Sequence, residues 1–269
     1  GDKSKQGSKM SKNILLILMG SLLLFSLPAM TQEQEENYQD KVLVSDLDDT
    51  LKITNHSASL GKVYRSLFST KVFAGMDTLY QIISDRSSDF YILSASPNLI
   101  RSRVKRLLRK RGLSHAKVIL KRSEDGETYD YKVNALEDIL EESEDQLILI
   151  GDDTSHDPEA YDYIAATYPE RITAVYIHTV VGREIPESAI PFWSAYDIAI
   201  SEYQAGRLSL DEAIKVGEKI VSTRKDKKIH PKFVVCPDSF ERIQAYNIEI
   251  KLMQDKVYSR LEKICQKRD

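Results

Sequence analysis

Little about this chain of 269 residues is extreme, and what it lacks narrows its class. A formal net charge of −3 is too mild to imply a nucleic acid or another polyanion as partner for the whole protein. Cysteine is scarce: Cys236 and Cys265 are the only two, and both fall in the C-terminal tail. They could pair in an oxidising compartment, and their position makes a catalytic use unexpected. No internal repeat is present. The pronounced apolar run, ILLILMGSLLLFSL at residues 14–27, stops at 14 residues. A membrane-spanning helix needs roughly 20.

What surrounds that run has a recognisable order. Residues 1–9 are small, polar and basic, and read as an appended scar or a disordered arm. Met10 is a natural start, and Lys12 precedes the run. Pro28 and Ala29 follow it, before the polar TQEQEENYQD. This is the pattern of a secretory signal peptide with cleavage near Ala29 to Thr31; the alternative is an uncleaved membrane anchor. Either way the working domain is expected outside the cytoplasm: periplasmic, extracellular or membrane-associated. The expected organisation is a start and signal segment at 1–31, a polar linker at 32–40, a catalytic domain at 41–185 and a helical extension at 186–269.

From residue 41 to about 182, short apolar runs alternate with segments of helical period. The runs are KVLVS, DFYILSAS, KVIL, QLILIG and TAVYIHTV, and the helical segments are 75–84, 99–111, 132–141 and 157–168. Strands without polar alternation, separated by helices, predict a central parallel sheet covered on both faces. Right-handed connections make this an α/β, Rossmann-like three-layer sandwich, with ligands at the carboxyl ends of the strands. Beyond Pro186, FWSAYDIAISEYQAG predicts a helix stopped by Gly206, and LSLDEAIKVGEKIVS a second one. A loop with a possible short strand comes next, then a long helix capped by Ser239.

The strand ends collect the acidic residues. The first gives Asp46, Asp48, Asp49 and Thr50, and the second gives SASP from Ser94. Lys132 opens the helix before the fourth strand, which ends in GDDTSHD with Asp152, Asp153 and Asp157. Each piece alone is a common helix cap. In this order they suit phosphoryl transfer. Carboxylates from two adjacent strands, Asp46 and Asp152, can converge on one Mg²⁺, which offsets their repulsion. A carboxylate there can attack phosphorus, and a second one two residues on, Asp48, can protonate the leaving oxygen and later activate water. Ser94 and Lys132 suit the phosphoryl oxygens. Lys117 and Lys121 compete with Lys132 for that role, and His156 is expected to be a surface residue.

DLDDT, Ser94, Lys132 and GDDTSHD resemble the four motifs of the haloacid dehalogenase superfamily of phosphohydrolases. More closely, SDLDDTLKIT, VFAGMDTLY, FYILSASP, LIGDDTSHDPEAY and AVYIHTV resemble the catalytic domain of the actin-patch-associated phosphatidate phosphatases, distantly lipin-like. The likeness spans about half of the chain. It implies Asp46 as nucleophile and Asp48 as general acid and base. Mg²⁺ would be held by the carboxylates of Asp46 and Asp152 and the backbone carbonyl of Asp48, and phosphate by Ser94 and Lys132. Thr50, Asp153 and Asp157 are expected in support, and Asp49 in the turn.

The substrate class implied is a lipid phosphate. A protein, nucleotide or sugar phosphate is the enzymatic alternative, and a non-catalytic lipid-phosphate-binding protein the alternative of another class. The stretch between Asp46 and residue 75 is too short for a cap domain and long enough for a small flap, so the site is expected to be open. RSRVKRLLRKR, from Arg101 to Arg111, carries seven basic residues around an apolar stripe. It reads as a solvated helix face or as a peripheral contact with anionic lipid.

Overall fold

The structure, a computed structural model, describes residues 38–54 and 70–268. The expected signal segment lies outside the described residues, and so do residues 55–69 of the stretch expected to form the flap.

The five apolar runs all become strands. They are β1 (Lys41–Ser45), β2 (Asp89–Pro97), β3 (Lys117–Lys121), β4 (Gln146–Asp152) and β5 (Ile172–His178). Their order in the sheet is β3-β2-β1-β4-β5-β6, and every neighbouring pair is parallel. The sixth strand, β6 (Ile190–Phe192), departs from the helix expected around Phe192. The helix there, α5 (Ala195–Gln204), begins later because Ser194 and Asp197 form a reciprocal capping box. That cap frees Phe192 to pair with His178 at the sheet edge.

Alternate strand residues feed two separate cores, as the two-residue period of a strand requires. Val42, Val44, Leu93, Leu147, Leu149 and Ile177 pack against α3 (Thr128–Glu142) and α4 (Asp157–Thr167). Leu43, Ile92, Ile148, Ile150 and Tyr176 face the other way. They meet α1 (Met76–Ser84), α2 (Arg101–Lys110), α5 and α6 (Leu210–Val221). The result is the expected three-layer α/β sandwich. Its strand order is that of doubly wound folds, whose ligands bind where the order reverses, between β1 and β4.

The segment after Pro186 joins this second core. Glu202 on α5 is fully buried and accepts hydrogen bonds from Tyr38 (2.7 Å), from Tyr176 on β5 (2.5 Å) and from Arg207 (2.8 and 2.9 Å). The loop at 225–239 contains a one-turn helix, α7 (Asp226–Ile229), in place of the possible strand. The last helix, α8, spans Ile248–Gln266, and its cap is Asn247, which accepts from the backbone of Glu249 and Ile250. It does not begin at Ser239, because Cys236 is bonded to Cys265 with 5.7 Å between their Cα atoms. A continuous helix from Ser239, rising ~1.5 Å per residue, would carry the two cysteines about 40 Å apart. The chain instead doubles back, packing the half-buried Phe240 against Trp193, His230 and Tyr258.

Candidate active site

The chain leaves β1 through a turn built on buried backbone contacts. Asp46 N–H donates to Ile150 O on β4 (2.8 Å), Lys52 N–H to Leu47 O (2.7 Å) and Asp49 N–H to Lys52 O (2.7 Å). Asp49 is the pivot. Its φ of 59° is left-handed, a conformation that Asp tolerates better than most residues with a side chain. Its carboxylate accepts the Thr54 N–H (2.8 Å), and its carbonyl accepts Nδ1–H of His178 (2.7 Å). His178 is buried between Phe73 and Phe192, and burial lowers its pKa. It therefore holds the turn as a neutral donor. Asp49, at first sight one carboxylate too many, is what aims its two neighbours.

Those neighbours sit in different surroundings. Asp46 accepts from Lys132 Nζ (3.0 Å), and the same ammonium donates to Asp157. Lys132 lies one turn inside α3 rather than at its start, and is 1% exposed. Asp157 is the first residue of α4, where a helix N-terminus favours negative charge. Its other oxygen accepts the Asp152 N–H (3.2 Å). Asp152 in turn accepts from Thr50 Oγ1 (2.9 Å), Thr154 N (2.8 Å) and Thr154 Oγ1 (2.5 Å).

Carboxylate oxygens of Asp46, Asp152 and Asp157 lie within 4.8 Å of one another. Burial raises the pKa of Asp46, opposed by Lys132 and reinforced by Asp157, Asp152 and Asp48. Burial and Asp157 push Asp152 up to about 8. Burial alone would lower Lys132, yet Asp157 and Asp46 outweigh it and keep it charged. One ammonium thus balances three carboxylates. Buried hard oxygen donors with unbalanced negative charge could bind a metal ion, and they suit a divalent one.

Asp48 points into a second set of partners. One oxygen accepts from Lys52 Nζ (3.0 Å) and Thr54 Oγ1 (2.6 Å), the other from Ser96 Oγ (2.6 Å) and, at 3.5 Å, Ser94 Oγ. Both sets open on one cavity of about 420 Å³, whose walls include Asp46, Asp48, Ser94, Ser96, Lys132 and Asp152.

Five sequence-predicted residues, Asp46, Asp48, Ser94, Lys132 and Asp152, therefore converge. Thr50 and Asp157 stand behind them, each bonded to Asp152. Asp153 is turned elsewhere: its carboxylate accepts four backbone N–H groups, from Val180, Val181, Gly182 and Arg183, at 2.7–3.0 Å. It anchors the loop after β5. His156 is exposed. Lys117 is bonded to Asp89 and Tyr91, and Lys121 to Thr128.

Sequence reasoning passed over Ser96, Lys52, Thr54 and Thr154. A signal for Ser96 was available. It stands two residues from Ser94 at a strand end, where alternate residues share a face.

Gly151 lies under this site for a steric reason. A Cβ there would stand 2.7 Å from Cβ and Oδ2 of Asp157. Gly151→Ala should displace that carboxylate and cost about 1–3 kcal/mol by overpacking. Urea denaturation checks it, and an unchanged midpoint would contradict the contact.

The fold and site together define a doubly wound α/β domain with an acidic pocket at the carboxyl ends of its central strands. Residues 41–179 match the family described as "Phosphatidate phosphatase APP1, catalytic domain", and the chain belongs to that family. Phosphatidate phosphatase APP1 of Saccharomyces cerevisiae is 27% identical over 148 residues, which are 50% of this chain and 25% of the yeast protein. The chain thus spans about a quarter of that relative's length. A solved structure of phosphoserine phosphatase from T. onnurineus, in complex with NDSB-201, aligns with 64% of this chain and 98% of its own, at 13% identity and a TM-score of 0.37.

Proposed function

We propose that this chain is a Mg²⁺-dependent phosphomonoester hydrolase working through an aspartyl phosphate on Asp46, with phosphatidate or a related lipid phosphate as substrate. The observation that carries this reading is the division of the two carboxylates after β1. Asp46 belongs to the Lys132–Asp152–Asp157 cluster, and Asp48 to a separate set of hydroxyls and Lys52. Two carboxylates in different environments on one cavity are suited to different roles. Family membership and the yeast relative's name support the phosphatase class and the lipid substrate.

In this mechanism an Asp46 oxygen attacks phosphorus and the ester P–O bond breaks. The leaving oxygen takes a proton from the Asp48 carboxyl. Asp48, now a carboxylate, removes a proton from water, whose oxygen attacks phosphorus and releases phosphate from Asp46. Lys132 and the Ser94 hydroxyl hold phosphoryl oxygens, and Thr50 and Thr154 fix Asp152. Asp46 and Asp152, with the Asp48 backbone carbonyl that the family resemblance implies, would supply the oxygens for Mg²⁺. Asp157 is held behind them by Lys132 and the Asp152 N–H. When bound, the ion would balance their charge and that of the phosphoryl group. The Cys236–Cys265 bond supports the expectation of an oxidising compartment outside the cytoplasm.

The test is phosphate release from phosphatidate in detergent micelles beside soluble phosphomonoesters, with and without EDTA. Phosphatidate should be preferred, and chelation should slow turnover by at least about 100-fold. Preference for the soluble esters would defeat the lipid assignment, and indifference to EDTA the metal.

A further inference from the structure

The basic run at 101–111 is not absorbed by the site, yet it starts where the pocket ends. Pro97 lines the cavity, and the chain passes from it through a single 3-10 turn, Asn98–Ile100, directly into α2. Val104, Leu107 and Leu108 bury one side of α2 in the core. The opposite side carries Lys105, Arg106, Arg109 and Lys110, all exposed. Among the described residues, no acidic side chain pairs with any of these four. The flanking arginines are committed differently: Arg101 to Asn98 and the Val118 carbonyl, Arg111 to Asp77 and the Thr70 carbonyl. Four uncompensated cations on one short helix are unusual in a chain whose net charge is −3. Leu99, in the turn that joins Pro97 to α2, is 92% exposed.

We infer that α2 and Leu99 form the face by which this protein docks on an anionic lipid bilayer, with the pocket mouth turned to the headgroups. Charge complementarity selects the partner. Juxtamembrane lysines and arginines are attracted to anionic headgroups, whereas a neutral bilayer offers them nothing. A single exposed leucine on an ordinary surface needs no explanation, but an apolar side chain flanked by cations suits the headgroup–acyl boundary. No described helix is long and apolar enough to span a membrane, so this contact is peripheral. Docking would present the cavity to a phosphate at the depth where a lipid carries it. The inference rests on the lipid-phosphate reading for its purpose, but its test does not use lipid turnover.

The experiment measures partitioning of the full chain onto phosphatidylcholine vesicles with and without phosphatidylserine, whose phosphodiester is not a phosphomonoester substrate. The readout is the ratio of the two partition coefficients. The apolar run at 14–27 would contribute to both and cancel. The ratio should fall by at least about tenfold in R106E/R109E/K110E and by less in R106Q/R109Q/K110Q, and should collapse in high salt. Leu99→Ser should weaken binding to the phosphatidylserine vesicles severalfold. Hydrolysis of a soluble phosphomonoester should be unchanged in all three variants, which shows that they fold. A ratio near one for the unaltered protein, or one insensitive to both triple variants, overturns the proposal. Neither result touches the phosphatase reading.

Discussion

Asp46→Asn is expected to abolish phosphate release, by at least about 10⁴-fold in kcat, while leaving the protein as stable as before or more so. The two halves of this result have separate causes. Asparagine matches aspartate in shape and can still accept from Lys132, so the packing around β1 is retained. It cannot form an acyl phosphate, so the nucleophilic step is lost. Stability should not fall, because Asp46 is one of three carboxylates crowded within 4.8 Å and its pKa is raised by burial and by its like-charged neighbours. Removing one negative charge leaves Lys132 to balance two. Phosphate release and thermal unfolding of the metal-free protein near neutral pH check both halves. Undiminished turnover would sink the mechanism. Lost activity together with a large drop in melting temperature would mean that Asp46 is a structural ligand of Lys132 rather than a nucleophile.

Sequence and structure agree most closely where one physical requirement dominates. The strand KVLVS is buried on both faces and has a single way to be satisfied, so its period and its limits are both visible in the residues. The same holds for the acidic strand ends. Carboxylates so close together demand a counter-charge, and Lys132 is where the fold supplies it. Agreement fails where the deciding partner is distant in sequence. Asp153 looks like Asp152 in the string GDDTSHD, yet four backbone N–H groups nearly thirty residues later claim it. Asp49 is expected only in the turn, and its partner there, His178 from β5, becomes visible once the sheet is assembled. The last helix is strongly periodic from Ser239, but its start is decided by Asn247 and by a disulfide that reaches back to Cys236. In each case local propensity is overruled by a contact that only the topology creates.

Lys132→Met should produce the other large effect, and its pH dependence separates charge balance from packing. Methionine fills much the same volume, so the loss is mainly that of the ammonium. Three buried carboxylates are then left without a cation, and breaking a buried pair by removing one partner costs about 3–5 kcal/mol. The sign follows from linkage. Asp152 is already raised from 3.8 to about 8 in the folded protein by burial and by Asp157. A carboxyl whose folded pKa lies above its unfolded one keeps its proton in the native state while the unfolded chain releases it. Stability of the metal-free protein therefore falls as pH rises from about 4 to about 8. Without Lys132 the carboxyls hold protons more tightly still. The deficit is then constant while both native proteins keep Asp152 protonated. It grows as pH rises through about 8, where only the parent's Asp152 ionises, so it should be smaller near pH 6 than near pH 9. A divalent cation added at the higher pH should restore part of the stability, since it takes over the counter-charge. It should not restore turnover, which is expected to fall at least about 10³-fold because phosphoryl oxygens lose their donor. Chemical denaturation at the two pH values, with and without Mg²⁺, checks the argument. A deficit equal at both would assign Lys132 to packing alone.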